Sequence, residues 1–266
     1  MKVPSFLLVM AVIFICAPSV WAQAEATPTT TEITKVNGLT AKEIAKKMDD
    51  LLRGSSNFGR SRMTIITPKW RRTIEMDSWA KGTDYSFIHI LSPARERDTT
   101  FLKKQKLLYQ YIPSAEMRIK ISPSMMMQSW MGSDFTNDDL VKESEIVNDY
   151  THRLLGSESK QGKDCYKLEL IPKPDAAIVW DKIIAWVDKE TYLPVVEDFY
   201  DERGGKVRTM EFSDVRRAND RLYPFKFTLT PLNKEGHQTI LETVRIKFNV
   251  RIKKRVFSLK NLEKPR

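Results

Sequence analysis

From Phe58 onward, apolar and polar positions alternate with a period of two over a series of short runs. Ile74-x-Met76, Tyr85-x-Phe87-x-His89-x-Leu91, Leu107-x-Tyr109-x-Tyr111, Phe225-x-Phe227-x-Leu229 and Val244-x-Ile246-x-Phe248-x-Val250 all read this way. Each run places apolar side chains on one face of a strand and charged or small ones on the other. Polar turn sequences separate the runs: Lys81-Gly82-Thr83-Asp84, Gln161-Gly162-Lys163-Asp164, Arg203-Gly204-Gly205-Lys206 and Asn233-Lys234-Glu235-Gly236. Strands joined by short turns pair antiparallel, because parallel neighbours need a long crossover. No repeat and no splitting linker is visible. The pattern predicts a mainly β fold built on a single large, curved antiparallel sheet.

Helical patterning interrupts the alternation. Thr40-x-x-Glu43 is a capping box, Ile44, Met48, Leu51 and Leu52 then share one helical face, and Gly54 supplies a stop. This helix has one apolar stripe to lay on the sheet. Further along, Ser122-Pro123 reads as an N-cap followed by proline at the first helical position, with Gly132 as the stop. Wound as a helix, Met125, Met126, Met127, Trp130 and Met131 spread over roughly two thirds of the circumference, where a surface helix needs little more than about 100°. Such a helix is either a core plug between two apolar surfaces or a lid whose methionines face a space that something else fills. Thr136-x-x-Asp139 predicts one more capped turn before Leu140-Val141, and capping accounts for the Asp138-Asp139 pair.

The first residues follow another pattern. Met1-Lys2 precedes an almost unbroken apolar run from Ser5 to Ala17, shorter than the roughly 20 residues of a bilayer span. Val20-Trp21-Ala22 and Ala22-Gln23-Ala24 offer the small residues a signal peptidase reads. Residues 1–24 are therefore read as a secretory signal peptide, the Thr-rich residues 25–37 as a flexible lead-in, and 38–266 as a single domain. Cys16 falls in the leader, which leaves Cys165 alone, without an internal disulfide or a Cys-based zinc site. In the strand-like Asp-Cys-Tyr-Lys-Leu it reads as a small buried hydrophobe.

Charge adds a partner class. The chain has 44 basic against 34 acidic residues, a net charge of +10, which favours anionic surfaces; export removes nucleic acid from consideration. The densest basic patch is Arg245, Lys247, Arg251, Lys253, Lys254 and Arg255, on the polar side of the Val244-to-Val250 run. It reads either as a solvated strand face blunting an exposed sheet edge or as a docking surface for an anionic leaflet, lipid headgroup or exporter. The three histidines, His89, His152 and His237, have no metal-ligand spacing. Alternation with Phe87 and Leu91 makes His89 a core or cavity-wall residue. Gly-x-Ser-x-Gly, phosphate-loop and dinucleotide fingerprints are missing from the sequence. That inventory argues against an enzyme and calls for no cofactor and no metal.

The stretch from Phe101 to Leu140 resembles a block of the outer-membrane lipoprotein-sorting (LolA-like) proteins, in their sorting-protein-like branch. The matching residues are Phe101-Leu102-Lys103, Leu108-Tyr109-x-Tyr111-x-Pro113, the strand from Arg118 to Ile121, Met126, and Ser129-x-Met131-Gly132-Ser133-Asp134-Phe135. The leader, the opening helix, the Trp79 strand and the closing Phe257-x-x-x-Asn261-Leu262 agree with it. The resemblance implies an unclosed antiparallel β-barrel whose concave apolar face is covered by short helices, in a periplasmic, non-enzymatic carrier. Such a carrier shields lipid or lipoprotein acyl chains between membranes, with an inner-membrane exporter and an outer-membrane acceptor as partners. The alternative is an envelope sensor that binds lipid and regulates a membrane partner; an enzyme acting on lipid or glycan has less support.

Physics points to a similar hollow. A sheet with one apolar face needs a cover, and this chain supplies few helices. The alternating residues Trp79, Phe87, Phe101, Tyr109, Tyr111, Phe225 and Phe227 are candidates for its wall, although plain core packing serves them equally well. Methionine is flexible and polarizable, so Met125, Met126, Met127 and Met131 could repack around chains of different length. Burying an acyl chain gains about 0.8 kcal/mol per CH₂, on the order of 12 kcal/mol for about 16 carbons before ordering costs.

Overall fold

The computed structural model describes Lys35 and residues 38–265, apart from 106, 140–144, 175, 177 and 179. Residues 1–24, read from the sequence as a signal peptide, nearly all of the segment read as a lead-in, and Leu140-Val141 lie outside the described residues. Helix α1 spans Ala41–Arg53 and begins as its sequence requires: Glu43 N–H donates to the Thr40 hydroxyl, and Thr40 N–H donates to the Glu43 carboxylate at 2.8 Å. It stops at Gly54, whose φ of +63° favours glycine; an added Cβ there would lie 3.2 Å from the side chains of Phe248 and Asn249. Ala41, Ile44, Ala45 and Met48 are buried against the sheet.

Thirteen strands follow. They are β1 (Ser56–Ile66), β2 (Arg71–Lys81), β3 (Tyr85–Ser92), β4 (Thr100–Lys104), β5 (Leu107–Ile112), β6 (Met117–Ile121) and β7 (Tyr150–Lys160). Then come β8 (Lys163–Pro172), β9 (Lys182–Asp188), β10 (Pro194–Tyr200), β11 (Lys206–Ala218), β12 (Arg221–Pro231) and β13 (Gln238–Phe248). All four anticipated turns connect sequential strands. The sheet order is β6-β5-β4-β3-β2-β1-β13-β12-β11-β10-β9-β8-β7, antiparallel at every step. Two meanders are thus joined where β1 pairs with β13, and the curved sheet ends at β6 and β7 without closing.

That topology dictates the cover. The chain leaves one edge at β6 and must re-enter at the opposite edge, β7, so residues 122–149 travel between the two ends of the sheet. In doing so they bury Met126, Trp130 and Phe135 in the principal core, with Met48, Met63, Ile74, Ile90 and Phe101. The outer face has covers of its own. Phe87 and Leu102 pack with Phe257 and Leu262 of the C-terminal segment, which ends in α2 (Leu259–Glu263). Cys165, fully buried as expected, packs there with Ile184, Trp186, Val195 and Val196.

Three sequence expectations need correction. The segment from Ser122 to Gly132 is not one helix but two single 3₁₀ turns, Pro123–Met125 and Trp130–Gly132, with Met131 left-handed at φ +50°. A continuous helix would spread its apolar side chains around the axis, whereas the broken path turns Met126 and Trp130 toward the same core. Its backbone is satisfied by other means: Trp130 N–H donates to Phe135 O at 2.8 Å, and the Asn137 amide donates to Met125 O at 2.9 Å. Second, β13 lies between β1 and β12, so its basic residues guard no edge. The strand also ends at Phe248, leaving Arg251, Lys253, Lys254 and Arg255 beyond it. Third, His89 pairs with Asp77 in register, on the outer face, and contacts Asp98 Oδ1 at 2.8 Å. It lines no cavity.

Candidate functional site

The hollow arises from where small residues fall. Along the concave face of β1 the inward side chains shrink from Ile65 and Met63 to Ser61 and Gly59; along β2 they shrink from Ile74 and Met76 to Ser78 and Ala80. Register aligns these small ends: Gly59 faces Ser78, and Ala80 faces Ser86 of β3. The small side chains leave a cavity of about 300 Å³, at the lower end of the roughly 300–1,000 Å³ of small-molecule sites. Met48, Leu52 and Arg53 of α1 roof it; Phe135, Ile146 and Trp180 close one side; Ile183, Phe199, Met210, Phe212, Phe227 and Leu241 form the wall across the sheet. Half-buried Asp49, Leu52 and Asn57 are among the lining residues, so the space reaches the surface.

The other end of the concave face is filled. Trp130 is fully buried, its ring 5.2 Å from that of Phe101 at a 44° tilt. The Arg72 guanidinium donates to the Met131 carbonyl and lies 3.2 Å from Glu96. Asp134 accepts from the Thr239 hydroxyl at 2.7 Å and donates its own N–H back to it, while the Ser133 hydroxyl donates to Trp130 O at 2.8 Å. The Gly132-Ser133-Asp134-Phe135 block is therefore an anchor that ties the crossing segment to β2 and β13. In this arrangement the methionine-bearing segment plugs the trough.

The sequence-nominated residues separate into several groups. Phe227 lines the cavity, whereas Trp79 borders it only from between Ser78 and Ala80 and packs its ring with Phe58 and Phe87 on the outer face. Met126, Trp130 and Phe101 are core, with Met125 and Met131 packed against it and Met127 half-buried. Phe87, Tyr109 and Tyr111 pack with the C-terminal segment on the outer face. Register explains this: Phe58, Trp79, Phe87, Leu102 and Tyr109 oppose one another in turn across β1 to β5, and directly opposed residues share a face. Phe225 lies in a smaller cluster with Tyr223 and Phe248. Arg245, Lys247, Arg251, Lys253, Lys254 and Arg255 are all exposed. Lys254 joins Lys81, Lys104, Tyr85, Ile252 and Phe257 around a second recess of about 250 Å³.

The charged groups beside the main cavity escaped sequence reading. Arg208 of β11 is buried and reaches both Asp139 oxygens at 2.7 Å, its guanidinium 4.1 Å from the ring centres of Trp180 and of Phe199. Burial pushes the Asp139 carboxyl up, but the Arg208 charge and the bonds from Arg208 and Thr136 outweigh it and hold the acid below its ordinary range. The Thr136–Asp139 capping bonds are present, at 2.8 and 3.2 Å. Glu197 of β10 also lines the cavity, is 8% exposed, and has no hydrogen-bond partner among the described residues. Burial, reinforced by the Asp139 charge and only partly offset by Arg208, pushes its pKa up to about 7. Among the described residues no group of three or more His, Cys, Asp or Glu is placed to hold a metal ion.

Comparison with known proteins now gives a context. A family model described as "-like: Uncharacterized protein" matches residues 82–264. The structure resembles a DUF1329 family protein from Desulfovibrio piger, with TM-score 0.76 and 24% identity over 84% of this chain and 97% of that one. It also resembles an outer membrane lipoprotein-sorting protein domain from Vibrio parahaemolyticus, at TM-score 0.76, 23% identity, and coverage of 84% and 98%. A LolA superfamily protein from Nitrosomonas europaea gives TM-score 0.73, 23% identity, and coverage of 84% and 99%. No curated protein matches the sequence.

Proposed function

Because the chain belongs to this family of uncharacterized proteins and has the fold of the LolA superfamily, we propose that it carries lipid or lipoprotein acyl chains between membranes. One observation carries the reading: a cavity with more apolar than polar lining, open to the surface, held between α1 and the small-residue end of the concave face. An acyl chain entering it would lose water from every methylene, at about 0.8 kcal/mol each. In this reading residues 1–24 export the chain to the periplasm, where it needs neither cofactor nor catalytic residues. Delivery would require an inner-membrane exporter and an outer-membrane acceptor.

The exposed cations at the C-terminal end would bring the carrier to an anionic leaflet. Lys81, Lys104 and Lys254 ring an aromatic-floored recess, a shape suited to a headgroup rather than to a neutral surface. The sensor reading uses the same cavity and differs only in what the occupied form touches.

Native mass spectrometry of protein taken from its own cells is expected to show a co-purified aliphatic ligand. The double variant Ser78→Leu, Ala80→Leu should retain the fold and lose that ligand, because both side chains would extend into the empty end. Protein that emerges ligand-free from lipid-rich extracts, or a filled variant that still carries its cargo, would overturn the carrier reading.

A further inference from the structure

We infer that Glu197 is the polar recognition residue of the cavity, and that it selects aliphatic ligands whose head bears a hydrogen-bond donor. This rests on the carrier reading above and adds a chemical class to it. Glu197 sits on β10, opposite Ala185 of β9 and Met210 of β11. Neither neighbour can bond to it. Arg208 does not engage it either: its terminal nitrogens are committed to Asp139 and its plane lies beside two aromatic rings. The carboxyl is therefore more than nine-tenths buried, unpartnered among the described residues, and set in the wall of the cavity among Phe199, Met210 and Phe212.

Its oxygens face the cavity, where water can reach them, so a ligand that enters displaces that water and loses affinity unless it replaces the bond. A hydroxyl, an amide N–H or an ammonium group would do so by donating to the carboxyl oxygen. A carboxylate head would not, because the two acids would repel each other when both are ionised. The other charged groups near the cavity reinforce this preference. Asp138 and Asp139 lie on the crossing segment, and Asp49 and Arg53 on α1 bond to each other at 2.8 Å. Arg208 is bonded to Asp139 and Arg53 to Asp49, so neither guanidinium is left over for a carboxylate head.

The test is displacement of the neutral probe N-phenyl-1-naphthylamine by 1-dodecanol, dodecylamine and dodecanoate, which share a chain length and differ in their heads. Wild-type protein at pH 7.5 is expected to prefer dodecanol and dodecylamine over dodecanoate by at least about tenfold more than Glu197→Ala does. Glu197→Gln should lose the dodecylamine advantage, since the ammonium loses its counter-charge, and keep a smaller dodecanol advantage, since its amide oxygen still accepts while its NH₂ group can donate to dodecanoate. A dodecylamine advantage undiminished in Glu197→Gln would overturn pairing with an ammonium and restrict the selected head to a neutral donor. Equal ratios in wild type and Glu197→Ala, with unchanged far-ultraviolet circular dichroism, would overturn this inference and leave the carrier reading standing. Binding of the probe or of any of the three chains to no variant at all would overturn both.

Discussion

The two ends of the concave face are built from the same strands and do opposite things. At one end Ile65, Met63, Ile74 and Ile90 meet Trp130, Phe101 and Met126 and leave no room. At the other, Gly59, Ser61, Ser78, Ala80 and Ser86 stop short of α1 and leave about 300 Å³. Since interiors pack to near-crystalline density, a hollow is made by withholding side-chain volume at matched positions. It is not made by concentrating large ones. The filled end supplies the stability that allows the other end to stay open.

The largest effect is expected where the trough is full. Trp130→Ala removes a fully buried side chain and should cost about 3–5 kcal/mol in denaturant unfolding. A loss under about 1 kcal/mol would mean that the crossing segment is not a structural plug. At the open end the effect is smaller and depends on pH. Glu197 titrates near 7 in the folded chain against 4.5 as its ordinary value, so the folded state binds the extra proton between those limits. Stability from this residue is therefore present below about pH 4.5 and is lost as pH rises toward 7 and beyond. Glu197→Gln should stabilise the protein by up to about 3 kcal/mol at pH 8 and by little at pH 4, measured as the difference in unfolding free energy. A variant with the same pH profile as wild type would place that carboxyl in water. The smallest effect lies outside both ends: Lys254→Gln should leave unfolding unchanged and weaken flotation with anionic vesicles by about 1 kcal/mol, fading at high salt. Unaltered flotation would detach the lysine-lined recess from membrane docking.

Much of the framework was readable one segment at a time. The Thr40 capping box, the Gly54 stop and all four turns depend on residues within a few positions of each other, and the structure has each in place. The fold resemblance, too, is met by the unclosed sheet. The cavity was not readable in that way. Alternation marks which residues are buried, but the two faces of this sheet are both covered, so Phe87 and Phe101 looked alike while facing opposite sides. The signal for the hollow is the alignment of Gly59 with Ser78 and of Ala80 with Ser86, which exists only once strand register is known. Glu197 was hidden for a related reason: a register shift between Pro194 and Val196 breaks the parity of β10, and a glutamate beside an aspartate looks like a solvated position. The Met-Trp segment reads as one helix because its caps are sound local helix signals, which the need to bridge from one side of the sheet to the other overrides.

The unjoined margins β6 and β7 carry a mechanical consequence. In a closed barrel, admitting a bulkier guest would tear inter-strand bonds somewhere around the ring. Here the two borders share no ladder among the described residues, so the trough can unbend with every strand still zipped to its neighbours. The clasp from Arg72 to Met131, the lodging of one indole, and α1 where it leans on β7 would together resist that unbending and set how wide the protein gapes.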